Sequence, residues 1–528
     1  MDNRRVDGIT LEVMKNALQS VAEEMGATLI RTSISINIKD RRDCSTGVYN
    51  ANGDLVAQAE HIPLHLGIMP FVMKSVLEYC PADKFEPGDA VLINDPYISG
   101  SHLPDCCLVS PVFYKGELVA FVVNLAHHAD MGGMVPGSMP INASTIFQEG
   151  LSIPPVKIRK AGVIDEELLG LIVRNTRIPA EWRGDLEAQI ASNNVGEKRV
   201  QELCDKSGVE TVSFYMDALI DYSFRRMCNQ INALPDGVFD FTDYLEIGES
   251  ADDLLPIVVS VHKEGSELVV DFTGTGPQVP TSLNCTRSVA CACVFYVAKV
   301  MLDCEVPSNA GAFKPIRVIT PKGSIVEPAY PAAVSNANIN TAQRITDAMF
   351  GAFGKMLPAK AMAASGGTMS CFTIGGTHPD TGEYFTYVET YGCGMGAAEG
   401  YKGADGIQTN MTNTRNTPNE VMEIAYPFFI EEYCLVPGTE GKGKWNGGMG
   451  LRRAIRIEAD DVIATISTER EFTEPWGVVG GGPGARSYCG LVHEGSEEKI
   501  PARVTLNVAN GDTVILQTPG GGGYGIPE

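Results

Sequence analysis

The sequence predicts an α+β, multidomain architecture in which a mixed α/β region, a helical segment and a β-rich, glycine-rich half follow one another. Three observations predict this class. Apolar residues near the N-terminus recur every three or four positions, alternating strands around two turn signals come next, and the second half combines short apolar runs with glycine turns. We therefore expect an α/β region with β-hairpins over 1–160, a helical segment over 161–235 and a β-rich region with one or two helices over 236–528.

The composition argues against several function classes. With 41 basic and 65 acidic residues the chain of 528 residues carries a formal charge of −24, so its surface would repel nucleic acid. The longest apolar stretch, residues 289–302, is interrupted by Lys299 and is shorter than the ~20 residues of a membrane-spanning helix. Residues 1–5 include two arginines but precede an amphipathic pattern instead of an apolar signal core. We expect a cytoplasmic protein that binds neither nucleic acid nor membrane.

The cysteines indicate reduced thiols and not a disulfide framework. Fourteen cysteines are scattered along the chain and include no Cys-x-x-Cys pair. Cys291 and Cys293 lie in an apolar run, so we interpret them as core residues, with metal or redox chemistry as the less favoured alternative.

The first region is predicted to contain one helix and two hairpins. Apolar residues at helical spacing predict an amphipathic helix over about 10–29, which needs a partner surface. Asn52-Gly53 is a strong two-residue turn signal and predicts a hairpin over 44–58. Lys115-Gly116 is expected to form the turn of a second hairpin over 106–125, whose second strand is apolar enough to be buried on both faces.

The pattern of apolar residues and glycines divides the remaining chain into a helical part and a β-rich part. Residues 165–231 show helical periodicity and contain few glycines. Further along, short apolar runs over 254–261 and 268–272 predict strands, and a helix is expected near 341–356.

Histidines are concentrated in the first region. Five of the eight lie between residues 61 and 128, where even scattering would place about one. They are His61, His65, His102, His127 and His128. A physical cause is needed for such clustering.

The geometry of the second hairpin supplies one cause. Counting outward from its turn places His127 opposite Pro104. The same register places His102 opposite Ala129, so both imidazoles would share the open end of the hairpin. His128 would point away from His127, because neighbouring side chains on an extended strand alternate, and one of the pair is not expected to be a ligand.

The first hairpin repeats the arrangement. Counting from its turn places His61 opposite Cys44, one residue from Asp43. Further acids flank the two hairpin mouths, namely Asp95, Asp105 and Asp130. This set of side chains matches a divalent metal held by nitrogen and oxygen ligands. The alternative is that the histidines are hydrogen-bonded corners of proline-rich and aspartate-rich turns.

Two glycine motifs resemble nucleotide-binding loops without the context that such loops need. Residues 438–444 fit the start of a P-loop, but Trp445 stands where Ser or Thr would hold magnesium, and the glycine run continues. Gly520, Gly522 and Gly525 fit G-x-G-x-x-G, but the sequence stops three residues later, before a βαβ unit could form. We therefore expect no ATP site in these segments.

Nine short motifs are spread over essentially the whole chain. They are the segments 40–45, 59–67, 94–97, 101–105, 126–133, 136–138, 365–369, 411–418 and 518–525. Together they resemble the hydantoinase B/5-oxoprolinase family. That family contains the B subunits of ATP-dependent N-methylhydantoinases and caprolactamases, the B half of 5-oxoprolinases, and the related large subunits of acetone and acetophenone carboxylases.

The resemblance implies a two-component enzyme. An A-type partner with an actin-like ATPase fold would bind ATP and magnesium and phosphorylate the carbonyl oxygen of a hydantoin, 5-oxoproline or similar lactam. The B-type chain would bind a divalent metal, zinc or manganese, and hydrolyse the phosphorylated amide. A hetero-oligomer such as A2B2 is expected by analogy.

The resemblance also implies the metal ligands, and general chemistry indicates roles for further residues. Asp43, His102 and His127 match the metal ligands, and the metal would lower the pKa of the water that attacks the activated carbon. Candidates for orienting ligands or moving a proton are His128, Asp130 and His61. Candidates for meeting the charge of the phosphate are Arg41, Arg42 and Arg415. For these arginines, solvent-facing salt bridges are the alternative.

Two other functions stay open at this point. A carboxylase component would share the fold and the metal site but would join an enol phosphate to CO2 or bicarbonate. A non-catalytic scaffold for the A-type partner would use the His/Asp cluster for structure alone. In that case His127→Ala would lower stability and leave turnover per folded complex unchanged.

Overall fold

The computed structural model describes residues 6–59, 61–98 and 100–527. The basic residues within 1–5, and Glu60 of one family motif, lie outside the described residues. The predicted α+β class is confirmed, because the described ranges contain both helices and four β-sheets. None of the helices in these ranges is long and apolar enough to cross a membrane.

The elements are numbered in chain order. The α-helices are α1 Gly8–Thr32, α2 Ile36–Lys39, α3 Pro63–Tyr79, α4 Glu166–Arg174, α5 Pro179–Ser207, α6 Val209–Asn232, α7 Arg287–Leu302, α8 Ala310–Phe313, α9 Ala342–Met356 and α10 Asn419–Ala425. The strands are β1 Cys44–Asn50, β2 Leu55–Gln58, β3 Ala90–Ile93, β4 Asp105–Tyr114, β5 Glu117–His127, β6 Val156–Lys160, β7 Val163–Ile164, β8 Gly237–Glu246, β9 Leu254–Glu264, β10 Glu267–Asp271, β11 Ile316–Ile319, β12 Cys371–Thr377, β13 Tyr384–Thr390, β14 Phe428–Leu435, β15 Leu451–Ile457, β16 Val462–Ser467, β17 Tyr488–His493, β18 Ser496–Lys499, β19 Arg503–Val508 and β20 Thr513–Gln517.

The N-terminal sheet is buried on both faces. Its seven strands lie in the order β2-β1-β5-β4-β3-β6-β7, so the β1–β5 pairing joins the two predicted hairpins. Along β5, Phe121 and Val123 belong to a core shared with α3 and α7, whereas Ala120 and Val122 pack with α1 and α6. Because side chains alternate along a strand, burial on both faces requires the continuous apolar run seen in the sequence.

Helix α1 finds its expected partner surface against this sheet and against α5. The helix begins after Asp7, whose carboxylate accepts the N–H of Thr10 at 2.8 Å. Gly196 of α5 lies so close to Met25 of α1 that an added Cβ would be 2.4 Å from the sulfur. Helices α4 to α6 occupy the segment predicted to be helical and cover one face of the sheet. The division of the chain into three domains stays a prediction.

The register of the second hairpin differs from simple counting. The turn forms as predicted, but an irregularity at Val112 shifts the ladder by one residue. His127 therefore pairs with Asp105, and its predicted pairing with Pro104 is wrong. His102 precedes β4 and lies outside the ladder, so the pairing predicted for it is wrong as well.

The first hairpin also ends earlier than counting assumes. Strand β2 stops at Gln58, and Cys44 pairs with Ala126 of β5. The predicted pairing of His61 with Cys44 is therefore wrong, because His61 lies beyond the ladder in the segment that leads into α3.

Three further sheets follow, with the strand orders β11-β10-β9-β8, β13-β12-β16-β19 and β14-β15-β20-β17-β18. The predicted second-half helix is α9, and it packs against α7, β8 and β9. On α7, Cys291 and Cys293 are at most 2% exposed and form no disulfide. Their interpretation as core residues agrees with this position.

Glycine segments of the C-terminal half pack backbone against backbone. The two segments that resemble nucleotide-binding loops bond to each other, since the N–H of Gly441 donates to the carbonyl of Gly521 at 2.8 Å. A Cβ added to Gly520 would lie 1.9 Å from the carbonyl oxygen of Thr439. Only glycine permits such close approach, and the packing leaves neither segment in the form of an open phosphate cradle.

Candidate metal centre

Strand ends and one helix start bring the candidate ligands together. Asp105 is the first residue of β4 and His127 the last residue of β5, and the two are partners in the ladder. Asp43 immediately precedes β1, which pairs with β5. His102 lies in the turn before β4, and His65 lies in the first turn of α3. The sheet therefore collects these side chains at one end of neighbouring strands.

Three of these residues form a compact, buried group. His102, Asp105 and His127 offer ligand atoms that all lie within 4.8 Å of one another. Nε2 of His102 is 3.2 Å from Nδ1 of His127, and each of these nitrogens is 3.3 Å from one oxygen of Asp105. All three residues are at most 5% exposed. Two imidazoles and a carboxylate at this spacing form a donor set suited to a divalent cation.

A hydrogen bond orients the ring of His102 towards the other candidate ligands. Its Nδ1 donates to the carbonyl of Ser335 at 3.0 Å, which turns Nε2 towards Asp105. Burial opposes protonation of His102, but the adjacent charge of Asp105 outweighs burial and raises the pKa of the imidazole. Burial also opposes ionisation of Asp105, yet His102 and His65 hold the pKa of that carboxyl well below its usual range.

The hydrogen bonding of Asp105 provides a test of whether a cation fits here. Its Oδ2 accepts hydrogen bonds from Ser101 and Asn338, the latter at 3.3 Å. Its Oδ1 is buried without a hydrogen-bond partner, and so is Nε2 of His127. A buried carboxylate oxygen without a donor is costly, and a cation between the imidazoles would satisfy it. The residues therefore fit a divalent metal.

Asp43 and His65 extend the cluster. Nε2 of His65 is 3.6 Å from Oδ1 of Asp105 and 3.9 Å from Oδ1 of Asp43, and its Nδ1 is 3.2 Å from the hydroxyl of Ser45. Asp43 is 9% exposed and lines the same cavity as His102 and His127. The structure thus brings the three predicted ligands to one cavity. It adds Asp105, which sequence reasoning counted among the flanking acids but did not name as a ligand, and His65, to which it gave no role.

The cluster faces a small cavity of ≈ 40 Å³. This volume holds roughly three water molecules, which suits a hydrated cation. Apolar residues line one part of the wall and include Ile62, Leu64, Met139, Ile339 and Met369. Hydroxyl groups line another part and belong to Thr390, Thr412 and Thr414. The cavity wall is therefore largely apolar, with a few polar groups placed near the cation ligands.

Arg41 is the predicted arginine that reaches this cavity. It is 1% exposed and donates to the carbonyl of Val388 at 2.6 Å and to the hydroxyl of Thr390 at 3.1 Å. Its Nε has no hydrogen-bond partner. A buried guanidinium with an unpaired N–H places a positive charge beside the metal ligands.

The other two predicted arginines do not line the cavity. The side chains of Arg42 and Arg415 are exposed. Arg415 approaches the site through its backbone, because its N–H donates to the carbonyl of Arg41 at 2.9 Å. Their exposure agrees with the alternative interpretation, in which these arginines face solvent and do not contact the phosphate.

His128 and Asp130 are buried away from the cluster. Nε2 of His128 is 3.0 Å from Oε1 of Gln189, and its ring packs on Trp182 with centroids 4.7 Å apart. Burial lowers the pKa of His128. Asp130 forms a 2.9 Å ion pair with Arg177 and accepts backbone N–H groups of the following loop. Neither side chain lines the metal-centre cavity, so neither is placed to move a proton there, and a role in orienting ligands stays a prediction.

His61 also lies apart from the cluster. It lines a different cavity, where burial lowers its pKa to about 4. Its ring fits against α1, since a Cβ on Gly26 would lie 2.2 Å from it. His61 and His65 therefore face different sides of the segment that begins α3.

Comparison with known proteins places the whole chain in one family. A model of the hydantoinase B/oxoprolinase family matches residues 7–527. A protein of Methanocaldococcus jannaschii is 40% identical over 99% of this chain and 91% of its own length. A protein named as the B component of a D-/L-hydantoinase in a Pseudomonas strain is 32% identical over 100% of this chain and 91% of its own length. The 5-oxoprolinase of Dictyostelium discoideum is 35% identical over 98% of this chain, which spans only 40% of that enzyme.

Solved structures share the fold. The ATP-dependent caprolactamase of Pseudomonas jessenii superposes with a TM-score of 0.89 at 29% identity, over 99% of this chain and 92% of its own. An acetone carboxylase superposes with a TM-score of 0.88 at 18% identity, over 98% and 76% of the two chains, a likeness of fold alone. With the family match spanning nearly every residue, this chain belongs to the hydantoinase B/oxoprolinase family.

Proposed function

We propose that this chain is the metal-bearing B-type component of an ATP-dependent cyclic amide hydrolase. Its substrates would be hydantoin, 5-oxoproline or lactam rings whose carbonyl oxygen an A-type ATPase partner has phosphorylated. The observation that carries the proposal is the buried group of His102, Asp105 and His127, in which Oδ1 of Asp105 has no hydrogen-bond partner. The caprolactamase likeness supports the reaction class.

The chain's own residues have distinct tasks in this proposal. His102, Asp105 and His127 would hold zinc or manganese, with Asp43 and His65 adjoining. A cation bound there supplies a Lewis acid that lowers the pKa of water towards neutrality. The guanidinium of Arg41 would meet the negative charge of the phosphate that leaves. The apolar wall excludes bulk water and so strengthens both electrostatic effects.

ATP and its magnesium would be bound by the A-type partner. The two glycine segments of this chain that resemble nucleotide-binding loops are engaged with each other, which supports that division of labour. The relative named as a B component of a hydantoinase supports the need for a partner. We propose a hetero-oligomer such as A2B2.

Reconstitution with an A-type partner tests the proposal. Ring opening of a lactam or hydantoin should require ATP, both components and added zinc or manganese, and His127→Ala should abolish it. His128→Ala is the matched control, because its side chain points away from the site. Transfer of labelled carbon from bicarbonate into the product would show that the complex is a carboxylase and not a hydrolase. Unchanged turnover of folded His127→Ala would indicate a scaffold.

A further inference from the structure

A π-helix of residues Ala337–Thr341 borders the metal-centre cavity and leads directly into α9. Its turn is closed by the N–H of Ala342, which donates to the carbonyl of Ala337, five residues earlier. Such turns are rare and are frequent at functional sites, because the extra residue in the turn changes which side chains face a neighbouring element. The side chains of this turn are therefore candidates for a role at the metal centre.

Two asparagines of the π-helix point in different directions. Asn338 lines the metal-centre cavity, and its Nδ2 donates to Oδ2 of Asp105 at 3.3 Å. Asn340 is turned towards the end of β16, where its Nδ2 donates to the hydroxyl of Ser467 at 3.0 Å and its Oδ1 accepts the hydroxyl of Thr368 at 2.8 Å. Both asparagines are at most 5% exposed, but Asn338 is the one that bonds to a candidate metal ligand.

The contact with Asp105 explains the orientation of Asn338. Its Oδ1 is buried without a hydrogen-bond partner, which is unfavourable for stability. Its Nδ2 must face Asp105, because a carboxylate accepts hydrogen bonds and only the amino group of a carboxamide donates them. The orientation of this side chain therefore follows from Asp105 and not from the surroundings of Oδ1.

Hydrogen-bond donors are unevenly distributed over the two oxygens of Asp105. Oδ2 accepts hydrogen bonds from Asn338 and Ser101, whereas Oδ1 has no partner. A carboxylate oxygen offers about two lone-pair positions, so two donors occupy Oδ2 and leave Oδ1 available to a cation. Binding through one oxygen suits the four-coordinate geometry of zinc, whereas binding through both oxygens raises the coordination number.

The residues just before the π-helix hold a second candidate ligand. The carbonyl of Ser335 accepts the hydrogen bond from Nδ1 of His102 at 3.0 Å, and the N–H of Ser335 donates to Glu149 at 2.8 Å. The segment 335–338 thus orients an imidazole through its backbone and a carboxylate through a side chain. Groups that orient metal ligands commonly affect metal affinity strongly.

We propose that Asn338, together with Ser101, is a positioning residue that keeps Asp105 bound to the metal through Oδ1 alone and so favours four-coordinate geometry. The inference rests on the proposed metal centre and adds to it the groups that decide whether its carboxylate binds through one oxygen or two. Asn338 acts through Asp105 and takes no part in the reaction itself.

Cobalt(II) titration of the full chain, after metal removal with EDTA and dialysis, tests the inference without measuring activity. Visible absorption of cobalt(II) is intense at four-coordinate sites and weak at six-coordinate sites, and competition with a chelator gives the affinity. We expect an intense spectrum from the wild type. Asn338→Ala should weaken cobalt affinity by about 10–100-fold and lower the absorption, because Oδ2 is then free to bind the cation as well.

Asn340→Ala is the matched control, because it removes the same side chain from the same π-helix. It should lower the free energy of unfolding in EDTA and keep the cobalt affinity and spectrum of the wild type. Ser101→Ala is a smaller change that removes the other donor to Oδ2. It should shift affinity and spectrum in the same direction as Asn338→Ala, and it decides the question if Asn338→Ala does not fold.

Two results would overturn the inference, and they are distinguishable. A wild type that takes up no cobalt would remove the proposed metal centre and the inference with it. If the wild type binds cobalt while Ser101→Ala and folded Asn338→Ala keep its affinity and spectrum, the metal centre stands and the inference alone is wrong. Loss of stability without a change in cobalt binding would make Asn338 a structural residue.

Discussion

Nδ1 of His127 lies 3.3 Å from Oδ1 of Asp105 because these two residues are partners across β4 and β5. The irregularity at Val112 creates this pairing by shifting the ladder one residue. A one-residue shift changes which side chains share a face of a strand pair, so a regular hairpin would separate the imidazole from the carboxylate. The candidate metal centre therefore depends on a local departure from ideal strand geometry.

Adjacent histidines give the sharpest test of this arrangement. His127→Ala should lower affinity for zinc or manganese by at least about tenfold, because it removes a ligand. His128→Ala should keep wild-type affinity and lose about 1–3 kcal/mol of stability, since it removes the contact with Trp182 and the bond with Gln189. Elemental analysis after dialysis and competition with a chelator measure the affinities. Equal metal content in the wild type and His127→Ala would contradict the assignment of His127.

Part of the candidate site could be predicted from the sequence. The resemblance implied Asp43, His102 and His127, and all three line one cavity. Counting did not pair Asp105 with His127, because it assumed a regular ladder, although Pro111 beside the irregularity is a residue typical of strand bulges. A signal for His65 did exist, since Pro63 is typical of the first position of a helix and places His65 in the first turn.

Asp130 is expected to support stability instead of catalysis. Its carboxylate is buried and pairs with the partly exposed guanidinium of Arg177, so Asp130→Asn would remove the charge from this ion pair. The free energy of unfolding should fall by about 1–3 kcal/mol, measured by urea denaturation. Metal affinity of the folded protein should stay unchanged. Asp252→Asn on an exposed turn is the control, with a change within about 0.5 kcal/mol. If Asp130→Asn lost metal affinity but kept its stability, Asp130 would have a role at the metal centre.

Backbone packing of glycine predicts a contrast between two substitutions to alanine. At Gly521 an added Cβ would lie 2.0 Å from the carbonyl oxygen of Met395, so Gly521→Ala should be strongly destabilising, by about 3 kcal/mol or more. At Gly170 in α4 nothing lies within 4 Å of the added Cβ. Gly170→Ala should therefore stabilise the protein by about 0.5–1 kcal/mol. Thermal and urea unfolding measure both effects, and a neutral Gly521→Ala would contradict the packing.

The glycine segments of the C-terminal half show which part of the fold could not be predicted from the sequence. Helix α1, the turns of both hairpins and the helical segment follow from periodicity and turn chemistry, which are local properties. The contact between residues 438–444 and 520–525 joins segments far apart in the chain, and each looks locally like a nucleotide-binding loop. Local patterns carry no information about which distant backbone a glycine will touch.

Glu149 should make stability depend on pH. Its Oε1 accepts the N–H groups of Val334 and Ser335 at 2.8 Å, and the carbonyl of Ser335 in turn orients His102. Burial raises the pKa of Glu149 from 4.5 to about 7. The folded protein thus holds this proton more tightly than the unfolded chain between pH 4.5 and 7, so the contribution of Glu149 to stability is present below this window and declines as pH rises through it.

Glu149→Gln isolates this contribution, because the variant cannot titrate and keeps an oxygen for the two N–H groups. The free energy of unfolding of the wild type, relative to the variant, should fall by about 3 kcal/mol between pH 4.5 and 7.5. Urea denaturation at several pH values in metal-free buffer gives both curves, and metal-free buffer removes any contribution from metal binding. Parallel curves would mean that the pKa of Glu149 is the same in the folded protein as in the unfolded chain, and its buried Oε2 would then need a partner that stabilises the charge.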